Sequence, residues 1–228
     1  MKRKTRITIG IILIVIGLVL LVIPQISVHL IREEQNKAVA VFQEIRQEEL
    51  LENAQREEVS FDFDAITSIT VNQALQNTIW GNEDVINTYR QDIVGQLIIE
   101  SLDINLVIFN GINDAKLYVG VTTMKPGQVI GERNYSIAGH WSYNDGVLLS
   151  RLPDIEEGAI IKLVDQENTY EYKVYETALV LASDVHLIED YMADNHGSPI
   201  VSLMSCWTSM HETHRWFAFG ELINTIPN

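Results

Sequence analysis

The chain predicts a mainly β fold: a closed antiparallel barrel with short helices between its strands, carried behind an N-terminal helical section. Three observations carry that expectation. From Val94 onward, short runs rich in Val, Ile, Tyr and Phe recur at close spacing. The stretches between them concentrate Gly, Asn, Asp and Pro, the residues that turn a chain. Ahead of Val94 the composition differs, with a charge-free apolar run followed by a stretch rich in Glu, Gln and Arg.

Ile7 to Ile23 carries no charge and consists almost wholly of Ile, Leu, Val and Gly. As a helix this run spans about 25 Å, a little short of a hydrocarbon core of ~30 Å. Continuing through Pro24 to Ile31 supplies the missing length, with a kink expected at the proline. A cleaved signal peptide needs a small-residue cleavage site, and Ile23–Val28 offers none. Residues 1–31 are therefore expected to form a basic cytoplasmic tip and an uncleaved single-pass membrane anchor. Lys2, Arg3, Lys4 and Arg6 precede the span, so the positive-inside rule keeps the N-terminus in the cytoplasm and sets the rest outside the cell. Between Arg32 and about Ser60, Val39, Phe42, Ile45, Leu50 and Leu51 keep approximate helical spacing among many charges. This stretch reads as a solvated helical stalk. A second helical patch, Asp64 to about Tyr89, is expected to pack on the folded part. The expected division is thus 1–31 anchor, 32–90 stalk and N-terminal helix, and 91–228 barrel.

Within the barrel, the strand candidates are Gly95–Ile99, Leu106–Phe109, Tyr135–Ala138, Ala159–Val164, Thr169–Tyr175, Ala178–Leu181 and a final hairpin. Tyr170, Tyr172 and Val174 alternate with Glu171 and Lys173, as in a strand with one face buried. Seven or eight short strands at this spacing close most readily as an antiparallel barrel. The formal charge of −15 argues against a nucleic-acid partner, because phosphate contacts need a basic face. A single cysteine excludes an intramolecular disulfide.

That cysteine, Cys206, ends the apolar run Ile200–Met204 and Ser205, and Arg215 heads the next run, Trp216–Ile223. A hairpin across the polar linker Trp207–His214 makes the two near neighbours. A nearby cation favours the reactive thiolate, although lone thiols are more often small buried apolar residues. His140 leaves the strand Tyr135–Gly139 and enters a polar loop, a placement at a rim from which an imidazole can reach a neighbouring loop. His211 and His214 stand at i, i+3 without a further Cys or His cluster, a weak ligand set, and no metal or other cofactor is expected.

Taken in order, Gly95–Ile99, Gly120–Pro126, Asn134–His140, Ser202–Cys206 and Arg215 ahead of Phe219–Leu222 resemble the sortases of Gram-positive bacteria, and the class A, housekeeping type most nearly. The resemblance covers about Val94 to Ile223. It implies an eight-stranded barrel and a transpeptidase for LPXTG-type sorting signals on surface proteins, with a lipid-linked peptidoglycan precursor as acceptor. It also implies catalytic roles for Cys206, His140 and Arg215. Ala138 matches a small residue that relatives use beside the substrate, and fits a plain core position equally. Val185, Leu187 and Ile188, in the segment Ser183–Asp190, are candidates for the wall that takes the signal's leucine and proline, with a plain connecting loop as the alternative. Trp207, next to the nucleophile, is a candidate to shape the mouth of the groove, with an ordinary rim aromatic as the alternative. Where the family usually has Thr before the cysteine, this chain has Ser205, which keeps the hydroxyl and loses the methyl. Some relatives bind calcium through several acids in the loops flanking the groove. Here the loop before His140 has only Glu132, and Glu189 and Asp190 do not make up the deficit, so calcium independence is expected. The competing readings are a cysteine hydrolase, another cell-wall transpeptidase, or a non-catalytic tethered β-domain that binds wall components. L,D-transpeptidases place a Ser-His-Gly stretch before the nucleophile, absent here, and papain-like proteases put cysteine before histidine.

Overall fold

The computed structural model describes residues 3–69, 85–207 and 213–228. Helices α1 (Arg3–Glu44) and α2 (Gln47–Ala54) lead the chain, followed by a 3-10 turn (Phe63–Ala65), the short strand β1 (Ser68–Ile69) and α3 (Val85–Thr88). The body then runs β2 (Ile93–Ile99), β3 (Ile104–Phe109), α4 (Asp114–Leu117), β4 (Val121–Thr123), β5 (Asn134–Gly139) and β6 (Trp141–Ser142). It finishes with β7 (Ile160–Val164), β8 (Asn168–Leu181), α5 (Tyr191–His196), β9 (Ile200–Cys206) and β10 (His214–Pro227).

Eight strands close a barrel in the order β10-β8-β7-β2-β3-β4-β5-β9, the mainly β architecture expected. The barrel is not antiparallel throughout. The β3–β4 and β5–β9 seams are parallel, because each pair is joined by a crossover rather than a hairpin. The crossover carries α4 in the first case and β6 to α5 in the second. The two runs Thr169–Tyr175 and Ala178–Leu181 form one 14-residue strand, β8, and register shifts at Phe219/Gly220 and Leu222/Asn224 of β10 accommodate its length. β4 was not expected as a strand, since three residues are too few to display alternation.

Alternate positions of the strands fill the interior with Leu97, Ile99, Leu106, Ile108, Leu163 and Leu203, all essentially buried. Tyr135 and Tyr172 are buried with them, and burial pushes both phenols well above their ordinary range. The Tyr172 hydroxyl still accepts a hydrogen bond from the Gly131 N–H at 3.0 Å, so its polar end is satisfied.

The N-terminal section is part of this packing. Ser27, Ile31, Gln35, Ala38 and Phe42 are buried at every third or fourth position of α1, and Ile45, just past its end, is buried in line with them. Ala38, Phe42 and Ile45, with Leu50 of α2, share one cluster with Ile93, Val107 and Phe109 of β2 and β3. A solvated stalk therefore does not describe this stretch. Its approximate helical spacing is an amphipathic stripe whose charges occupy the opposite face. Further on, Asn53 Nδ2 donates to the Ile93 carbonyl at 2.8 Å, and Asn110 Nδ2 donates to the Asn53 carbonyl at 2.8 Å. Asp92 receives Lys116 at 2.8 Å and Arg56 at 3.2 Å. Toward the N-terminus, α1 runs as one helix past position 24, and Ile7, Ile11, Leu13, Ile14 and Leu21 stand exposed. Among the described residues, no helix is long and apolar enough to cross a membrane. The expected helical patch Asp64–Tyr89 is described only at its ends. Ser68–Ile69 is extended and Val85–Thr88 helical, while residues 70–84 lie outside the described residues.

Candidate active site

Three strand ends meet at one rim of the barrel. The antiparallel β9–β10 register sets Arg215 directly opposite Cys206. The parallel β5–β9 register sets Ala138 beside Met204 and Gly139 beside Ser205, so the next residues on these two strands are His140 and Cys206. Gly139 has no room for a side chain, since a Cβ there would come within 2.8 Å of Leu149 Cδ1 and 2.9 Å of Val121 Cγ1. Of the linker after Cys206, residues 208–212 lie outside the described residues, and His211 with them. Among the described residues, no group of three or more His, Cys, Asp or Glu is placed to hold a metal ion.

Cys206 and His140 are both completely buried, which a bare rim would not do. The cover includes a strap, residues 60–69. Its Phe61 bridges Ile112, and β1 pairs in parallel with β6, with Ser68 opposite Trp141 and Ile69 opposite Ser142. The Cys206 thiol donates to the Ile66 carbonyl at 3.1 Å, and Arg215 Nη2 donates to the same oxygen at 3.4 Å. Arg215 Nη1 donates to the His214 carbonyl at 3.1 Å. His140 Nδ1 lies 2.7 Å from the Thr67 carbonyl, and since a carbonyl only accepts, this contact assigns the proton to Nδ1. Nε2 is buried without a hydrogen-bond partner among the described residues; it lies 3.6 Å from Asp114 Oδ1. The Tyr118 ring meets the imidazole edge-on at 5.2 Å.

Beside these groups runs an apolar cleft lined by Phe63, Ile66, Met124, Leu181, Ala182, Asp184, Val185, Ile188, Met204, Arg215 and Phe217. Val185, Leu187 and Ile188 form a 3-10 turn on its wall, with Val185 exposed and Ile188 buried. Leu187 does not line the cleft; it packs against the apolar cluster containing Ala138, Met204 and Cys206. The wall is held from below by polar contacts. Lys125 Nζ donates to the Ile188 carbonyl at 2.8 Å and to Asp190, Ser136 Oγ donates to the Ile188 carbonyl at 2.9 Å, and Asn134 Nδ2 reaches the Leu187 and Glu189 carbonyls at 3.1 Å each. Burial opposes the charge on Asp190, but Lys125 and Arg133 outweigh it and hold the carboxyl below its ordinary range. Ser205 Oγ, also buried, donates to the Cys206 carbonyl at 3.3 Å, and Trp207 stacks on Trp216 at 5.1 Å.

Sequence reasoning missed the strap. Its trace was present: Val59-Ser60-Phe61-Asp62-Phe63-Asp64 alternates apolar and polar residues with a period of two, the mark of extended chain rather than the start of a helix. Leu181 and Ala182, at the end of β8 beyond any recognisable motif, were missed as cleft residues too.

A family model described as Sortase domain matches residues 97–223. Sortase A of Listeria monocytogenes serovar 1/2a (strain ATCC BAA-679 / EGD-e) is 29% identical over 218 residues, covering 96% of this chain and 91% of that protein. Sortase A of Bacillus anthracis is 30% identical over 136 residues, covering 60% of this chain and 62% of that one. Among solved structures, sortase A of Listeria monocytogenes superposes with a TM-score of 0.55 at 34% identity, covering 60% of this chain and 91% of that chain.

Proposed function

Because this chain belongs to the sortase family of cysteine transpeptidases, class A in type, we propose that it cleaves an LPXTG-type sorting signal between Thr and Gly and passes the protein to the amine of a lipid-linked cell-wall precursor. The observation that carries this reading is the pair of registers that leads Cys206, Arg215 and His140 to one rim.

Each residue type suits one part of the reaction. Cys206 attacks the Thr–Gly carbonyl carbon, and the C–N bond breaks to leave a thioester and a free glycine amine. His140 gives its proton to that leaving amine and then removes one from the incoming amine. Arg215 stabilises the negative charge on the tetrahedral oxygen; its guanidinium stays charged and offers several donors in one plane. The apolar cleft suits the leucine and proline of the signal, with Val185 and Ile188 on its wall and Ala138 and Leu187 packed behind it. Ser205 supports the nucleophile's backbone, and Trp207 shapes the mouth. The charge-free run Ile7–Ile23 behind its basic tip serves as the membrane anchor, Ser27 and Ile31 beyond it pack on the folded part, and the barrel stands on the outer face of the cell membrane.

The test is incubation of the full chain, in detergent micelles, with an LPXTG peptide and a glycine-based or diamino-acid amine, read by mass spectrometry. Mostly ligated product is expected, and Cys206→Ala abolishes it. Product that is mainly hydrolysed in the presence of excess amine supports the hydrolase reading instead. Unchanged peptide under all conditions leaves a tethered binding domain.

A further inference from the structure

We propose that Asp114 is a positioning residue for His140: its carboxylate holds the charged imidazolium through Nε2 and leaves Nδ1 to carry protons at the reaction rim. The ion pair stands on the geometry alone, while the proton-carrying role rests on the proposed function. The imidazole is flanked by an acceptor at each nitrogen. Nδ1 lies 2.7 Å from the Thr67 carbonyl, and Nε2 lies 3.6 Å from Asp114 Oδ1. A neutral ring has one N–H, and the carbonyl takes it. Nε2 is then a buried lone pair facing a carboxylate oxygen, with no hydrogen-bond partner among the described residues. A second proton removes that conflict: Nε2–H donates toward the carboxylate, and opposite charges meet beside a completely buried ring.

The carboxylate sits on a turn that is itself fixed. Asp114 opens α4, where Asn113 Oδ1 accepts the Lys116 N–H at 2.9 Å, and Lys116 Nζ is tied to the Asn110 carbonyl at 2.6 Å and to Asp92 at 2.8 Å. Tyr118, at the end of the same turn, sets its ring edge-on to the imidazole. The other titratable groups at this rim are Cys206 on β9 and Arg215, opposite it on β10; Asp62 and Asp64 of the strap and Asp145 of the loop after His140 are exposed. A guanidinium at the same rim disfavours a second cation, and Asp114 offsets it, being the carboxylate within ion-pair distance of the imidazole among the described residues. A base oriented by a third group is an arrangement that serves nucleophilic catalysis. During thioester formation the Nδ1 proton passes to the leaving amine nitrogen, and the ring stays protonated at Nε2 against Asp114. The incoming amine later returns a proton to Nδ1.

The test follows the six histidines of the full chain, in detergent micelles, by NMR of isotope-labelled imidazole carbons, with His140 assigned from His140→Gln. The Asp114 side chain is 62% exposed, so Asp114→Asn should fold as the wild type does, and a thermal melt checks it. Asp114→Asn should move the midpoint of the His140 titration to lower pH by roughly 0.5–1 pH unit, since solvent screens a mostly exposed carboxylate in part. The kcat for transfer from an LPXTG peptide should fall roughly three- to tenfold with KM within about twofold, and the limb of the pH profile set by His140 should move with the midpoint. Asp114→Glu restores the charge and should recover most of both losses, while Asp145→Asn should leave both readouts near wild type. An unmoved His140 midpoint in Asp114→Asn overturns the inference even where activity falls, as does an equal shift in Asp145→Asn. A shifted midpoint with no peptide transfer by any of the proteins, wild type included, keeps the ion pair and removes the proposed function.

Discussion

Replacing Lys125 by Met asks whether the cleft wall is held in place or free to order around its ligand. Lys125 Nζ donates to the Ile188 carbonyl at 2.8 Å and to the Asp190 carboxylate, so two points of the wall hang on one ammonium. Methionine keeps the length of the stem and removes the charge and the donors. A hydrogen bond to a charged group contributes roughly 1.5–3 kcal/mol. The Asp190 side chain is 37% exposed, and solvent screening discounts its share, leaving about 1–2 kcal/mol for the tie as a whole. Cys206, Arg215 and His140 stand on or beside β9, β10 and β5 and do not share this tie. The loss should therefore fall on substrate capture, with KM for an LPXTG peptide raised ~5- to 30-fold and kcat within about twofold of wild type. Steady-state transpeptidation by the full chain, alongside a thermal melt, provides the measurement. A KM equal to wild type in a variant whose Tm has fallen refutes the reasoning, because the tie would then stabilise the fold without ordering the wall.

Lys116→Met should be costly in stability, since it leaves the buried Asp92 with Arg56 as its remaining cation; about 3 kcal/mol is expected in urea unfolding, and Lys116→Met/Asp92→Asn should recover part of it. The folded-state carboxyl of Asp190 lies below its ordinary range, so the unfolded chain binds more protons in acid. Its contribution to stability is complete above the ordinary carboxyl value of about 4 and is lost as pH falls through the lower folded value; Asp190→Asn should change the pH–stability curve in slope only within that acid window. Removing divalent cations with EDTA should leave transpeptidation within about twofold of the untreated protein, because Asp190 already carries Lys125 and Arg133 and the loop before His140 offers only Glu132. Activation several-fold by added calcium would contradict that expectation.

Much of the barrel was legible because its strands carry their own signal. Tyr170, Tyr172 and Val174 alternate against charges, and turn residues mark the ends of most strands. The neighbourhood of Cys206 and Arg215 was legible because a hairpin needs only local sequence to fix its register. Parallel seams were not. The pairing of β5 with β9 joins residues more than sixty positions apart in sequence, and nothing in either segment names its partner. The Ile31–Ile45 stripe was visible as spacing but not as contact, since a helix face does not say which surface covers it. The strap was hardest to read. Its alternation is short, and its burial is decided by carbonyl oxygens at Ile66 and Thr67, which every residue possesses and no side chain announces.

The continuity of α1 has a mechanical consequence. It runs as one helix from Arg3 to Glu44, and its C-terminal half is packed on β2 and β3 while Arg32 Nε donates to the Gly146 carbonyl at 2.8 Å. Under the proposed anchoring, the enzyme stands on a mast without a swivel. Its reaction rim faces a set direction at a set height above the lipid, and a tilt of the mast is felt at the loop that follows His140. Substrates that are themselves tethered to the same bilayer then meet the rim by sliding in two dimensions, and those whose sorting signal lies at the matching height are taken first.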